Sequence, residues 1–153
     1  MAAPRTISLD AMGGDFAPGA MVEGAVLAAR EGIAVMLVGR EPDVRRELEK
    51  YPDAPKLPIG VMHASDVIGM DDAATEARRN KNLSINVAVN QVRLKNACAV
   101  VAQGHTGATL VSALFGLGRL PGVERPAILA NFPNQKDRVT LVDVGANADN
   151  RPE

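Results

Sequence analysis

The sequence has little of several features that would each indicate a class of protein. It contains one cysteine and no tryptophan, and aromatic residues make up 3% of its 153 residues. A single cysteine excludes a disulfide framework and favours a cytosolic setting. So few aromatic side chains argue against a surface on which nucleic-acid bases stack. The 17 basic and 18 acidic residues give a net charge of −1, so the basic excess of a general nucleic-acid binder is also missing.

Long apolar runs are missing as well. No run approaches the roughly 18 residues that a membrane-spanning helix requires. The composition, 46% hydrophobic and 23% charged, is typical of a globular protein, and the length suffices for one domain with a substantial core. Cys98 lies inside an apolar segment. We interpret it as a core residue, because small buried thiols are usually packing groups rather than nucleophiles.

Strand-like and helix-like segments alternate along the chain. The predicted strands are 6–10, 34–38, 59–63, 97–102, 127–131 and 139–144. Helices are predicted to begin near Pro18, Glu41, Ala73, Ser84 and Thr106, and we expect the hydroxyls of Ser84 and Thr106 to cap theirs. This alternation predicts an α/β fold with a parallel or mostly parallel sheet covered on both faces. The continuous apolar run at 97–102 predicts a strand that is itself covered on both faces.

Ligands of such sheets bind outside the carboxyl ends of the strands. Glycine-rich or polar segments follow predicted strands at 10–15, 63–66, 103–107 and 143–147. The segment 103–107, Gln-Gly-His-Thr-Gly, is the best candidate for an anion site, because a glycine turn at a helix start directs several N–H groups to one spot. It is neither a Walker A loop nor a G-x-G-x-x-G fingerprint. The alternative is a strand-to-helix corner that simply needs small residues.

The segment 10–15, Asp-Ala-Met-Gly-Gly-Asp, places two carboxylates and two glycines in one turn. Gly13 and Gly14 would let the backbone approach a ligand, and Asp10 and Asp15 would orient it. The alternative is an ordinary turn in which Asp15 caps the following helix.

The remaining polar residues each have a structural alternative. His63 at a strand end is, by itself, better explained as a structural histidine. No second histidine or cysteine lies at ligand spacing, so we predict no zinc site. Helix capping explains Asp71 and Asp72 more readily than a magnesium site.

A small basic cluster is formed by Arg78, Arg79 and Lys81. Guanidinium and ammonium groups at this spacing would pair with phosphate or with an acidic partner. The alternative is a solvated helix end.

Taken in order, these motifs resemble one family, the phosphate acyltransferases of the PlsX type. The matching stretches are ISLDAMGGD, HASDVIGMDD, the spaced Arg78, Arg79, Lys81 and Ser84, GHTGA, RPAI and LVDVGANADNRPE. The resemblance implies a three-layer α/β/α sandwich with a mostly parallel sheet, similar to isocitrate and isopropylmalate dehydrogenases. It further implies a homodimer, and a single α/β domain over 1–153 that forms the N-terminal half of a longer protein.

The family makes acyl phosphates from acyl-(acyl-carrier protein) and inorganic phosphate at the start of bacterial phospholipid synthesis. The resemblance therefore implies acyl carrier protein and inorganic phosphate as partners, no cofactor and no metal. It also implies a cytoplasmic protein that attaches peripherally to the inner face of the membrane through residues beyond 153.

The resemblance also implies which residues act. Catalytic roles fall to His105, Thr106, Lys81 and Asn147, and binding of phosphate or substrate to Asp10, Gly13, Gly14, Asp15, His63, Arg78, Ser84, Gly104, Gly107 and Asp143. The chain departs from the family's usual pattern in two of these motifs. The usual S-A-G-N-T-G-A is A-Q-G-H-T-G-A here, so that a hydroxyl is lost at Ala102 and an imidazole replaces an amide at His105. Gly69 stands where the family often has glutamate.

Two functions of other classes remain open at this point. One is a hydride-transferring dehydrogenase of the related fold, although neither a nucleotide site nor a metal-binding set of acids is evident in the sequence. The other is a non-catalytic module that binds phosphate or a carrier protein.

Overall fold

The computed structural model describes residues 5–123 and 126–143. They belong to two compact units, the first ending at Gly118 and the second beginning at Arg119. A single domain over 1–153 stays a prediction. No helix in the described parts of both units has the length and apolar character needed to cross a membrane.

The first unit contains a parallel sheet of four strands in the order β3-β2-β1-β4. The strands are β1 Ile7–Asp10, β2 Val35–Gly39, β3 Ile59–His63 and β4 Ala99–Val101. Strand β1 lies inside the sheet, with Ile7 opposite Val35 on one side and Ala99 on the other. The carboxyl ends of β1 and β4 are therefore neighbours.

Helices cover both faces of this sheet. They are α1 Gly19–Arg30, α2 Glu41–Leu48, α3 Glu76–Arg79, α4 Ser84–Arg93 and α5 Thr106–Gly116, with a 3₁₀ turn at Ala54–Lys56. Leu37 packs with Val22 of α1 and Val44 of α2, whereas Val38 packs with Ala88 of α4. Adjacent strand residues point to opposite faces, so the sheet is the middle layer of three. The predicted α/β/α fold is confirmed, and its likeness to the dehydrogenases stays a prediction.

Strand β4 differs from expectation. It is three residues long and lies at the edge of the sheet, and among the described residues only β1 pairs with it. Val101 keeps 41% of its surface exposed, and Cys98 is also exposed. The predictions of a strand covered on both faces and of a buried Cys98 were wrong, because an apolar run does not reveal whether its strand is central or at an edge.

The predicted caps of α4 and α5 were also wrong. Leu83 precedes α4 and His105 precedes α5, so Ser84 and Thr106 are the first residues inside their helices. Helix α3 begins later than expected, after Thr75, and no side chain caps it. The Asp72 carboxylate instead accepts the N–H of Gly69 at 2.7 Å, which closes a turn before the helix.

The second unit contains an antiparallel hairpin. Strands β5 Leu129–Pro133 and β6 Arg138–Val142 pair with Leu129 opposite Val142. In the turn between them, Asn134 Oδ1 accepts the N–H groups of Lys136 and Asp137, each at 2.8 Å. The segment 143–147 was predicted to follow a strand of a parallel sheet. That was wrong for β6, since so short a connection cannot provide the crossover that parallel strands need.

Candidate functional site

The turns after β1 and β4 touch each other through their backbones. A Cβ atom added at Gly13 would lie 2.9 Å from the backbone nitrogen of Gly104, and one added at Gly104 would lie 2.9 Å from Cα of Gly13. Real Cβ atoms do not approach so closely, so both positions require glycine. The two turns that the sequence singled out therefore meet at the carboxyl edge of the sheet.

A pocket of about 230 Å³, counting the part that opens to solvent, lies beside these glycines. Its lining residues are Asp10, Gly13, Val67, Ile68, Ser84, Ile85, Gly104, His105, Ala108 and Thr109. The lining includes the starts of two helices, α4 at Ser84 and α5 at His105. A helix start carries a partial positive charge and N–H groups without acceptors in the helix, so two of them favour an anion.

The start of α4 has no side-chain cap. The N–H of Ser84 bonds to the carbonyl of Asp66 at 2.9 Å. The next N–H groups, of Ile85 and Asn86, precede the first position that has a carbonyl acceptor within the helix. Of these two residues Ile85 lines the pocket, so its N–H is available to a ligand there.

Asp10 lies on the wall of the pocket at the end of β1, with 4% of its surface exposed. Its Oδ1 accepts the N–H of Met12 at 3.0 Å, and the Ser84 hydroxyl and the N–H of Gly13 also bond to the carboxylate. Burial raises the pKa of the Asp10 carboxyl above its ordinary value, and these hydrogen bonds offset part of the rise.

His105 caps α5 and ties it to another loop. Its Nδ1 accepts the N–H of Ala108 at 3.3 Å, and its Nε2 lies 3.0 Å from the carbonyl oxygen of Asp72. A nitrogen that accepts carries no proton, so Nε2 carries it and donates to Asp72. Both ring nitrogens are thus engaged within the protein, and the imidazole positions the start of α5.

Thr106 and Gly107 follow in the first turn of α5 and are not among the residues that line the pocket. Thr106 is exposed. A Cβ atom at Gly107 would lie 3.1 Å from Cβ of Ala74 and 3.1 Å from Cε1 of His105. Gly107 therefore lets the segment that carries Asp72 and Ala74 pack against α5.

Other predicted residues lie away from the pocket lining. His63 ends the edge strand β3, where its Nδ1 accepts the N–H of Glu41 at 3.3 Å at the start of α2. Gly14, with a φ of 97°, packs against the carbonyl of Gln103. Asp15 is exposed in the turn before α1, and no side chain caps that helix.

The basic cluster is divided among different contacts. The Arg78 guanidinium lies 4.8 Å from the centre of the Phe115 ring, and Arg79 pairs with Glu76 at 3.3 Å. Lys81 is exposed and makes no ion pair within the described residues. None of the three lines the pocket.

Two predicted residues follow β6 in the chain. Asp143 comes directly after that strand, in the second unit. Asn147 lies outside the described residues. Within residues 5–123 and 126–143, no three His, Cys, Asp or Glu side chains are grouped so that they could hold a metal ion.

The apolar part of the pocket lining, which includes Val67, Ile68 and Ile85, was not predicted from the sequence. A short parallel bridge between Asp66 and Leu83 brings these residues together. The Asn80 amide stabilises it by donating to Asp66 at 2.7 Å, and this bond, with a second one from Ser65, lowers the pKa of the Asp66 carboxyl. An isolated bridge between two loops leaves no periodic signal in a sequence.

Comparison with known proteins identifies the family of the chain. The profile of the family described as "Fatty acid synthesis protein" matches residues 5–153. The chain belongs to this family. Proteins named phosphate acyltransferase match 95% of the chain: one from Thermus thermophilus is 53% identical over 147 residues, one from Deinococcus radiodurans 49% over 146 and one from Geobacter sulfurreducens 48% over 148. The resemblance stated from the motifs is confirmed.

The chain spans less than half the length of those relatives. The matched region covers 44% of the Thermus protein, 41% of the Deinococcus protein and 42% of the Geobacter protein.

Proposed function

We propose that the chain carries the phosphate site of an acyltransferase that moves a fatty acyl group from acyl-(acyl-carrier protein) to inorganic phosphate. The observation that carries the proposal is the pocket where two glycine turns and the starts of α4 and α5 meet. About half of the residues are identical to those of proteins named phosphate acyltransferase.

Phosphate would bind to backbone N–H groups at this pocket. The candidates are those of Gly104 in the turn before α5, of Thr106 and Gly107 in the first turn of α5, and of Ile85 at the start of α4. Preorganised N–H groups in a partly dry site hold an anion without a basic side chain. Thr106 Oγ was expected to take part, but its residue is exposed and outside the pocket lining.

The reaction needs no nucleophile from the protein. A phosphate oxygen forms a bond to the thioester carbonyl carbon, the carbon–sulfur bond breaks, and the electron pair leaves with the carrier's thiol sulfur, which takes up the proton that phosphate loses. The protein holds the two reactants in line and stabilises the charge on the carbonyl oxygen. Cys98, which is exposed and outside the pocket lining, has no part in this scheme.

The basic cluster fits a second role, contact with the acidic carrier protein. Arg78, Arg79 and Lys81 are exposed and do not line the pocket. Exposed charges of one sign raise the rate at which an oppositely charged partner docks. A homodimer in the cytoplasm that attaches peripherally to the inner face of the membrane completes the proposal, with no nucleic-acid partner, cofactor or metal.

Phosphate-dependent loss of acyl-carrier-protein thioester tests this function. The assay compares the chain with the product of its gene extended past codon 153, and it includes the variant Gly104→Ala. A Cβ at Gly104 would push the two glycine turns apart. A displacement of about 1 Å costs on the order of 100-fold in rate, so we expect kcat/KM for phosphate to fall by about that factor.

Gly60→Ala is the matched control, because nothing lies within 4 Å of a Cβ atom added there. It should keep full activity. Binding of phosphate without turnover by both the chain and its extended form would contradict the proposal and favour the non-catalytic module.

A further inference from the structure

The wall of the pocket contains a carboxylate, which is unexpected in a site that binds an anion. Asp10 and His105 are the titratable side chains among the described residues that line the pocket, and neither lysine nor arginine is among them. Both ring nitrogens of His105 are engaged by Ala108 and Asp72. An anion that binds here would therefore meet the Asp10 carboxylate with no basic side chain to separate them.

The hydrogen-bond donors around Asp10 use its carboxylate as an acceptor. The N–H groups of Met12 and Gly13 bond to the carboxylate, as does the Ser84 hydroxyl. A backbone N–H can only donate, so its partner must offer a lone pair. An ionised carboxylate offers about four acceptor positions. These donors do not use all of its lone pairs, so the carboxylate can accept a further hydrogen bond at the pocket, which it lines.

We propose that Asp10 makes the pocket selective for an oxyanion that carries a proton, so that inorganic phosphate binds and sulfate does not. The proposal deepens the proposed function, and it rests on that function for phosphate being the substrate.

The selectivity follows from the difference between the two anions. At neutral pH inorganic phosphate keeps at least one proton, and its P–OH group would donate to Asp10. Sulfate has the same shape but no proton, so one of its oxygens would face the carboxylate as a second acceptor. The site would then lose a charge-assisted hydrogen bond and gain a repulsion. The protonated phosphate oxygen would be held at Asp10, which leaves the other oxygens for the N–H groups and for attack.

Isothermal titration calorimetry with inorganic phosphate, arsenate and sulfate tests the proposal without an acyl donor. The sample is the full-length product of the gene that encodes this chain. Arsenate also carries a proton at neutral pH, so it should bind like phosphate. Sulfate should bind at least about tenfold more weakly, the value of one charge-assisted hydrogen bond. Equal binding of sulfate and phosphate would overturn the proposal, and so would binding of neither.

The variant Asp10→Asn tests whether the selectivity for phosphate over sulfate depends on this residue. Its side chain offers an N–H₂ group to either anion, so sulfate affinity should rise and the preference for phosphate should fall to within about threefold. Gly60→Ala is the matched control, because nothing lies within 4 Å of a Cβ atom added there and Gly60 does not line the pocket; its preference for phosphate should persist. Selectivity that survives in Asp10→Asn would overturn the assignment, whereas selective binding without acyl transfer would contradict the proposed function alone.

Discussion

Asp10 is a single residue whose role in the candidate site lowers the stability of the fold. Its side chain is buried at the end of a central strand, and burial raises the pKa of its carboxyl even though three donors stabilise the ionised form. An acid whose pKa is higher in the folded state than in the unfolded state favours folding when protonated. The charge at Asp10 therefore lowers stability at neutral pH, a cost that a functional role explains.

The direction of this pKa shift gives a prediction for Asp10→Asn. The cost is absent below the unfolded pKa of Asp10, about 3.9, and complete above the higher pKa of the folded state. Going from about pH 4 to neutral pH, the free energy of unfolding of the wild type should therefore fall relative to that of the variant. Urea unfolding at a series of pH values measures this. A difference between the two proteins that stays constant with pH would show that the folded-state pKa is not raised.

At the scale of the element, α5 depends on the residue before it. The sequence located this helix and its glycine turn, but it assigned the cap to Thr106, where a hydroxyl matches the usual preference. In the structure the imidazole of His105 accepts the N–H of Ala108 and also bonds to Asp72, from a loop 33 residues away in the chain. Preferences for capping residues depend on neighbouring residues in the chain, so they do not predict a partner as distant as Asp72.

Two substitutions separate the cap from the link to the loop. His105→Asn keeps a good cap and loses the bond to Asp72, which should cost about 1 kcal/mol. His105→Ala loses both and should cost about 2 kcal/mol. Chemical denaturation at one pH compares them. Equal losses in the two variants would mean that His105 does not cap α5.

The same reasoning explains what the sequence could predict of the fold. Helices α1 and α2 and strands β1 to β3 were located within a few residues, because each buries an apolar face with its own period. The exposure of β4 and the pairing of β5 with β6 depend on which segments become neighbours. The glycine contact between residues 13 and 104 was predicted only as two separate turns, and Val67 and Ile68 carried no signal at all.

At the scale of the molecule, the residues that line the pocket belong to the first unit. Its pocket is formed by residues from Asp10 to Thr109, and the matches to proteins named phosphate acyltransferase extend over 95% of the chain. Those relatives are more than twice as long as the matched region. Binding of phosphate within this part of the sequence can therefore be tested separately from turnover.

The most direct test is a nuclear magnetic resonance titration with inorganic phosphate on the amide-labelled protein. We expect saturable shifts of the backbone N–H signals of Gly13, Ile85, Gly104, Thr106 and Gly107, because the first three residues line the pocket and the last two form the first turn of α5 beside it. The amide signals of Arg78 to Lys81 should change little. Shifts confined to the basic cluster, or no saturable shift at the glycine turns, would contradict this expectation.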